Sequence, residues 1–340
     1  MIVALRKAVA AVASLVVLLL MTACGGGAPP AAPGGGGAAG FPVTITHKYG
    51  DTTITAPPKR VISLGYTDQD AILALGVVPV AIREFTGNQP SATWPWARDR
   101  LQGQQPQVLP ISGIGTETLA GLQPDLIVAV SAGLTKEDYD LYSRIAPVIA
   151  QPAQYVDYGT PWPEVTRLIG QALGKSAEAE KVVGDLQARI KQVAAANPAL
   201  AGKSIAGVRP SSNNNASYFV WGPQDLRARF FTDLGMAVPP TFVQLAGDRF
   251  YAEVSTEQLG LLDQSDVVAL ITAGAAERAV FTGLPGYGRL KAVQGRQLVT
   301  FDDQESAALS FSSVLSLPPL LETVPAKLGA ALAGQAPPAG

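Results

Sequence analysis

The sequence predicts an α/β protein of two lobes joined by one long helix. Three observations carry this. Short apolar strands alternate with helical patterns from Val43 to Ile149, an amphipathic run of about 22 residues starts at Lys175, and the alternation then begins again. A chain of 340 residues has room for two such cores. Hydrophobic residues make up 47% and charged residues 15%, with mean hydropathy +0.21. Part of that apolar excess lies in the first twenty-odd residues.

The elements follow in order. Arg6 and Lys7 precede an apolar run from Ala8 to Leu20, interrupted only by Ser14. This is too short for the roughly 20 residues a membrane-spanning helix needs, but it suits the hydrophobic part of a signal peptide. The run ends in Met21-Thr22-Ala23-Cys24-Gly25, which resembles the lipobox of bacterial lipoproteins. That resemblance implies cleavage before Cys24, diacylglycerol and palmitate on Cys24, and a protein held on the extracytoplasmic face of the cell membrane. Residues 1–23 are therefore expected to be a signal peptide. Residues 24–40, almost all Gly, Ala and Pro, are expected to be a flexible tether that cannot pack. Removing residues 1–23 leaves 23 Lys+Arg against 27 Asp+Glu.

Residues 41–174 read as the first lobe. Val43 to Tyr49 and Thr52 to Thr55 alternate around a Gly50-Asp51 turn, predicting a β-hairpin. Strands are then expected at Arg60–Leu64, Val77–Ile82, Gln107–Ile111, Asp125–Val130 and Val148–Ile149. Helices are expected at Asp68–Leu75, from Glu117, and at Lys136–Ile145. In the interlobe helix, 175–198, Ala179, Val182, Val183, Leu186, Ile190 and Val193 recur at helical steps. Ser176 is a candidate N-cap there, and Asn197-Pro198 stops the run. At 1.5 Å per residue it spans roughly 33 Å. Residues 199–332 read as the second lobe, with strands at Ser204–Arg209, Tyr218–Trp221, Val267–Thr272 and Gln297–Phe301, and helices at Gln224–Leu234 and Thr256–Leu262. Residues 333–340 are a tail. Thr116-Glu-Thr-Leu-Ala-Gly-Leu122 and Thr256-Glu-Gln-Leu-Gly-Leu-Leu262 share Thr-Glu-x-Leu-x-x-Leu ahead of Asp and an apolar strand, as a duplicated lobe would. Ser255 to Gln258 fits a capping box.

Composition narrows the chemistry. One Cys allows no internal disulfide, and with a single His there are too few soft ligands for a zinc, iron-sulfur or His-based metal centre. A formal charge of −2 argues against nucleic acid. His47 reads as a surface residue of an exposed strand. No Gly-x-Ser-x-Gly elbow, dinucleotide fingerprint or Walker A sequence occurs, so no catalytic residue is assigned and an enzyme is the weaker class. Aromatic and guanidinium side chains instead gather in expected loops: Trp94, Trp96, Tyr155, Tyr158, Trp162, Tyr218, Trp221, Arg227 and Arg229. Two Trp at alternate positions of a Pro-containing loop are not expected in a core. Rings and Arg at a cleft suit a planar or anionic organic ligand.

The landmarks Pro58-Lys-Arg-Val-Ile-Ser-Leu64, Ala74-Leu-Gly-Val-Val-Pro-Val80, Leu122-Gln-Pro-Asp-Leu-Ile-Val128, Ile145-Ala-Pro147 and Gly170-Gln-Ala-Leu-Gly174 resemble those of a known family. It is that of the substrate-binding lipoproteins of bacterial ABC importers for ferric siderophores, haem and vitamin B12. The resemblance covers Phe41 to about Leu332. It implies two Rossmann-like lobes bridged by one long α-helix, the class III periplasmic binding protein fold, with small hinge motion and a ligand in the cleft. It also implies a monomer that hands its ligand to a permease and ATPase, and no cofactor. Glu117 and Glu257, one in each copy of the repeat, match the surface glutamates that such proteins present to permease arginines. Tyr139, eight residues before Pro147, matches a tyrosine that contacts iron-bound hydroxamate oxygens. The accompanying arginine would fall near Ser112 and is missing, leaving Arg83, Arg209, Arg227 and Arg229 as candidates. With one His, iron is expected already chelated. The arginines favour a ferric siderophore, while haem and cobalamin stay open as ligands. A secreted α/β enzyme, or a structural or signalling lipoprotein, is the alternative.

Overall fold

The computed structural model describes residues 40–211 and 216–339. Cys24, the signal peptide and nearly all of the tether lie outside the described residues. In chain order, hairpin β1 (Val43–His47) and β2 (Gly50–Ile54) leads into β3 (Val61–Ser63), α1 (Asp68–Ala74), β4 (Ala81–Arg83), β5 (Gln107–Leu109), α2 (Thr116–Gly121), β6 (Leu126–Ala129), α3 (Lys136–Tyr142), β7 (Val148–Ala150) and α4 (Trp162–Ala172). The long helix α5 (Ser176–Ala196) follows. Beyond it come β8 (Ile205–Pro210), β9 (Ser217–Trp221), α6 (Leu226–Asp233), α7 (Pro240–Ala246), β10 (Tyr251–Ser255), β11 (Val267–Leu270), α8 (Ala275–Thr282), α9 (Lys291–Gln294), β12 (Leu298–Thr300), α10 (Asp303–Phe311) and α11 (Leu317–Leu332).

The first lobe holds a wholly parallel five-stranded sheet in the order β5-β4-β3-β6-β7. The second lobe's sheet runs β10-β9-β8-β11-β12. It departs from a copy of the first, because β9 is antiparallel to both β8 and β10. Alternate residues explain why these strands are nearly pure apolar runs. In β6, Leu126 and Val128 face one cluster and Ile127 and Ala129 another; in β11, Val267 and Ala269 oppose Val268 and Leu270. Both faces of each sheet are covered, as parallel sheets require.

One apolar cluster reaches from Ile72, Val128 and Ile149 of the first lobe to Val267, Phe301 and Leu320 of the second. Between them α5 contributes Ala179, Val183, Leu186 and Ile190 at steps of four, three and four, one stripe of an amphipathic helix of about 31 Å. Its cap differs from expectation. Lys175 precedes the first turn without a side-chain cap and Ser176 is already helical. The turn from α4 into α5 is tight: Gly174 has φ +68°, and a Cβ on Gly170 would lie 2.4 Å from that of Ala179. Helix α11 covers the inner face of β11 and β12, and its Lys327 and Thr323 hold the buried Glu305 of α10. The tail past α11 is packed rather than free, with the Ala336 N–H donating to the Arg296 carbonyl at 3.1 Å.

A polar tie also crosses between the lobes. Asp70 of α1 is 1% exposed and accepts from Trp96 Nε1 at 2.9 Å and from Ser313 Oγ, ahead of α11. Burial pushes its carboxyl up to about 6, against the opposing pull of those two donors.

Candidate functional site

Parallel strands leave a crevice beyond their carboxyl ends, and here the crevices of the two lobes face each other. A cavity of about 560 Å³ is lined by residues that follow β4 (Phe85, Thr86), by Arg209 near the end of β8, by Ile271–Ala273 after β11, and by Asp303 after β12. Trp94 closes it from the first lobe; Arg227, Ser306 and Ser310 face it from α6 and α10. An adjoining groove of about 730 Å³ shares Phe85, Thr86, Gly87 and Gln89 and opens along Glu84 and Val108–Ile111.

The first lobe contributes rings. Trp94 and Trp96 stack with planes 2° apart at 5.3 Å, Trp96 meets Phe311 edge-on at 5.2 Å, and Phe311 touches Phe85 at 5.4 Å. Phe85 stacks on Tyr66, which stacks on Tyr158. Trp94 is buried, contrary to the loop reading, because its indole donates to the Thr86 carbonyl at 3.0 Å and is pinned between the loop and α10. One edge still borders the cavity. The loop carrying these rings bends through left-handed backbone at three non-glycine positions, Asn88 and the adjacent Ser91 and Ala92. Such conformations cost roughly 1–2 kcal/mol each for residues with a Cβ.

The second lobe contributes guanidinium groups held by carboxylates. Arg227 donates through Nε (2.9 Å) and Nη2 (2.7 Å) to Asp225, which is fully buried, and its plane lies 3.6 Å over the Trp221 ring. Asp225 also caps α6 by accepting from the Arg227 backbone N–H. Arg209 donates to Glu277 through Nε (3.0 Å) and Nη2 (2.5 Å), and Glu277 in turn accepts from the Ala273 N–H. Both forks are thereby fixed in direction at the cavity wall.

A model of the periplasmic binding protein family matches residues 61–305, more than two thirds of the chain. The chain belongs to the periplasmic binding protein family. A periplasmic solute binding protein of Mycobacterium smegmatis is 33% identical, covering 85% of this chain and 98% of its own, with TM-score 0.77. The Fe(3+)-citrate-binding protein YfmC of Bacillus subtilis is 27% identical over 268 residues, 74% of this chain and 76% of that one. PiaA of Streptococcus pneumoniae TIGR4, solved in complex with ferrichrome, shares the fold at TM-score 0.75, 24% identity and coverage of 86% and 99%.

Of the residues singled out by sequence, this periplasmic binding protein brings Trp94, Arg209 and Arg227 to one cavity, with Trp96 directly behind Trp94. The others stand elsewhere. Arg83 sits over the Tyr66 ring at 4.2 Å and donates to the Tyr66 hydroxyl and the Leu64 and Ile111 carbonyls. Tyr158, at φ +64°, caps the far end of the ring series. Arg229 lines a separate cavity of about 450 Å³ beside α5, with Lys191, Trp162 and Phe230. Tyr218 is a correction. It is fully buried within β9, its hydroxyl donates to the Gln258 carbonyl, and burial pushes its ionisation upward. Trp221 is likewise buried in that strand. Tyr139 packs against His47 and Tyr49, beneath the hairpin and away from the cavity. His47 is no surface residue. It is 3% exposed, contacts Thr52 Oγ1 at 2.9 Å, and burial lowers its pKa.

Glu117 and Glu257 are both exposed in the first turn of their helices. The second of these is a 3₁₀ helix (Thr256–Gln264), where Ser255 accepts from the Glu257 N–H rather than forming the expected capping box. Asp302 forms a full capping box with Glu305 at the start of α10. Phe85, Thr272, Asp303, Ser306 and Ser310 are lining residues that sequence reasoning missed. For three of them the available signal is position, since Phe85, Thr272 and Asp303 fall two or three residues after a strand end.

Proposed function

We propose that this protein captures a ferric siderophore in the cleft between its lobes and delivers it to an ABC importer, while anchored to the membrane through Cys24. The observation that carries the reading is the meeting of strand carboxyl ends from both lobes on one cavity, with rings on one wall and oriented guanidinium groups on the other. Among the described residues no group of three or more His, Cys, Asp or Glu could hold a metal ion, so an iron would enter already wrapped in its chelator. The names of the relatives support the same reading: one is called an Fe(3+)-citrate-binding protein, and one solved relative holds ferrichrome. Among the described residues lining the cavity none pairs as an activated nucleophile with a base or as an acid with a base, which supports a carrier over an enzyme.

The deciding measurement is tryptophan fluorescence during titration with ferric siderophores, haem and cobalamin. Quenching is expected with at least one ferric siderophore. A Trp94→Ala variant is expected to bind that ligand about tenfold more weakly, the scale of one lost ring contact. Absence of quenching by every siderophore overturns the reading, and quenching by haem or cobalamin alone redirects it.

The exposed carboxylates of Glu117 and Glu257, one on each lobe, are proposed to engage the permease. Replacing both by alanine is expected to leave ligand affinity unchanged and abolish uptake by cells; uptake at the wild-type rate would remove this role.

A further inference from the structure

Although two arginines face the cavity, the cavity has no positive excess. Arg227 is matched by the buried Asp225 and Arg209 by Glu277, each through two hydrogen bonds. Asp303 lines the same cavity without an ion-pair partner among the described residues, and Glu84 lines the adjoining groove. Arg83, which donates to the Ile111 carbonyl on the groove, and Arg98, which donates to Gln89 on the cavity rim, have no carboxylate partner among the described residues, so four guanidinium charges meet four carboxylates. The acceptors of Arg83, the Tyr66 hydroxyl and two backbone carbonyls, are neutral, so its charge counts in full and the site is balanced rather than positive.

Donors, in contrast, are plentiful. Nη1 of Arg209 and of Arg227 has no partner among the described residues. The cavity therefore offers hydrogen bonds to acceptor oxygens without offering net charge to an anion.

Resting on the siderophore reading above, we infer that the ligand is a ferric complex without net negative charge and rich in acceptor oxygens, of the iron(III) tris-hydroxamate type. Three singly charged hydroxamates cancel the charge of iron(III), whereas catecholate and citrate complexes of iron(III) stay anionic. An anion entering here would lose its hydration and meet Asp303 and Glu84 at a site whose described residues carry no positive excess to compensate. A neutral complex keeps its oxygens paired with Arg209 and Arg227, and its apolar perimeter against Phe85 and Trp94.

The test is affinity for three probes at one pH and ionic strength: ferrichrome, ferric citrate in excess citrate, and iron(III) tris(2,3-dihydroxybenzoate). Ferrichrome is expected to bind at least about tenfold more tightly than either anionic complex, with affinity changing less than about twofold between about 0.05 and 0.5 M salt. In Asp303→Asn, and separately in Glu277→Gln, the ratio of ferrichrome to ferric citrate affinity is expected to fall by about tenfold, because each change removes one negative charge near the ligand. Equal or tighter binding of an anionic complex by the wild type overturns the charge inference and leaves siderophore capture standing. So does an unchanged ratio in both variants. Failure of all three probes to bind overturns both.

Discussion

Replacing Arg227 by alanine is expected to destabilise the fold by about 3–5 kcal/mol, the usual cost of stripping one partner from a buried ion pair. Asp225 is fully buried and receives two of its hydrogen bonds from that guanidinium. With Arg227 gone, its carboxylate keeps only the backbone donor at the start of α6. The loss extends to the cation-π contact with Trp221 and to the cavity wall, so stability and ligand binding fall together. Urea unfolding checks the first effect and tryptophan quenching the second. The double variant Asp225→Ala, Arg227→Ala is expected to be more stable than Arg227→Ala alone, since no orphaned charge remains. A single variant within 1 kcal/mol of wild type would show that the pair contributes little.

Gly207→Ala is the second large effect, although the residue touches no cavity. Gly207 lies in the middle of β8, where a Cβ would stand 2.1 Å from Cδ1 of Trp221. The indole is 2% exposed and has no room to withdraw. Overpacking of this kind costs about 1–3 kcal/mol. Trp221 is also the floor under Arg227, so a displaced indole tilts the fork that faces the ligand. The expected result is a lower urea midpoint together with weaker ligand binding, the latter without any change to a lining residue. Wild-type affinity in a destabilised Gly207→Ala protein would mean that Arg227 is positioned by Asp225 alone.

These two positions also show what the sequence makes legible. The alternation of strands and helices, and the apolar stripe of α5 from Ala179 to Ile190, are local periodicities, so they predict the order of elements to within a few residues. Arg209 and Arg227 are recognisable because a guanidinium near a strand end has few structural uses. Their carboxylate partners are harder to find: Glu277 lies 68 residues from Arg209, and no pattern along the chain links them. Tyr218 and Trp221 mislead for a physical reason. A strand covered on both faces carries rings on successive sides without exposing either, and its sequence looks like that of an aromatic loop. Tyr139 matches a family position but is occupied by the hairpin, since His47 and Tyr49 pack on its ring. Ser306 and Ser310 carry no sequence signal at all. Serines four apart on a helix are ordinary, and only the docking of α10 against Phe85 and Trp94 turns that face toward the cavity.

The apolar cluster that runs unbroken from Ile72 through Ile190 to Leu320 means that the two lobes do not melt separately. Heating should produce one calorimetric transition, with a van't Hoff enthalpy equal to the calorimetric one, and ligand should raise its midpoint as a whole. A fragment ending at Gly174 would expose the inner faces of α1, α4 and β6 to water, so each piece of a chain divided at the long helix is expected to aggregate on expression. A destabilising change in either half is therefore expected to remove both walls of the cleft at once.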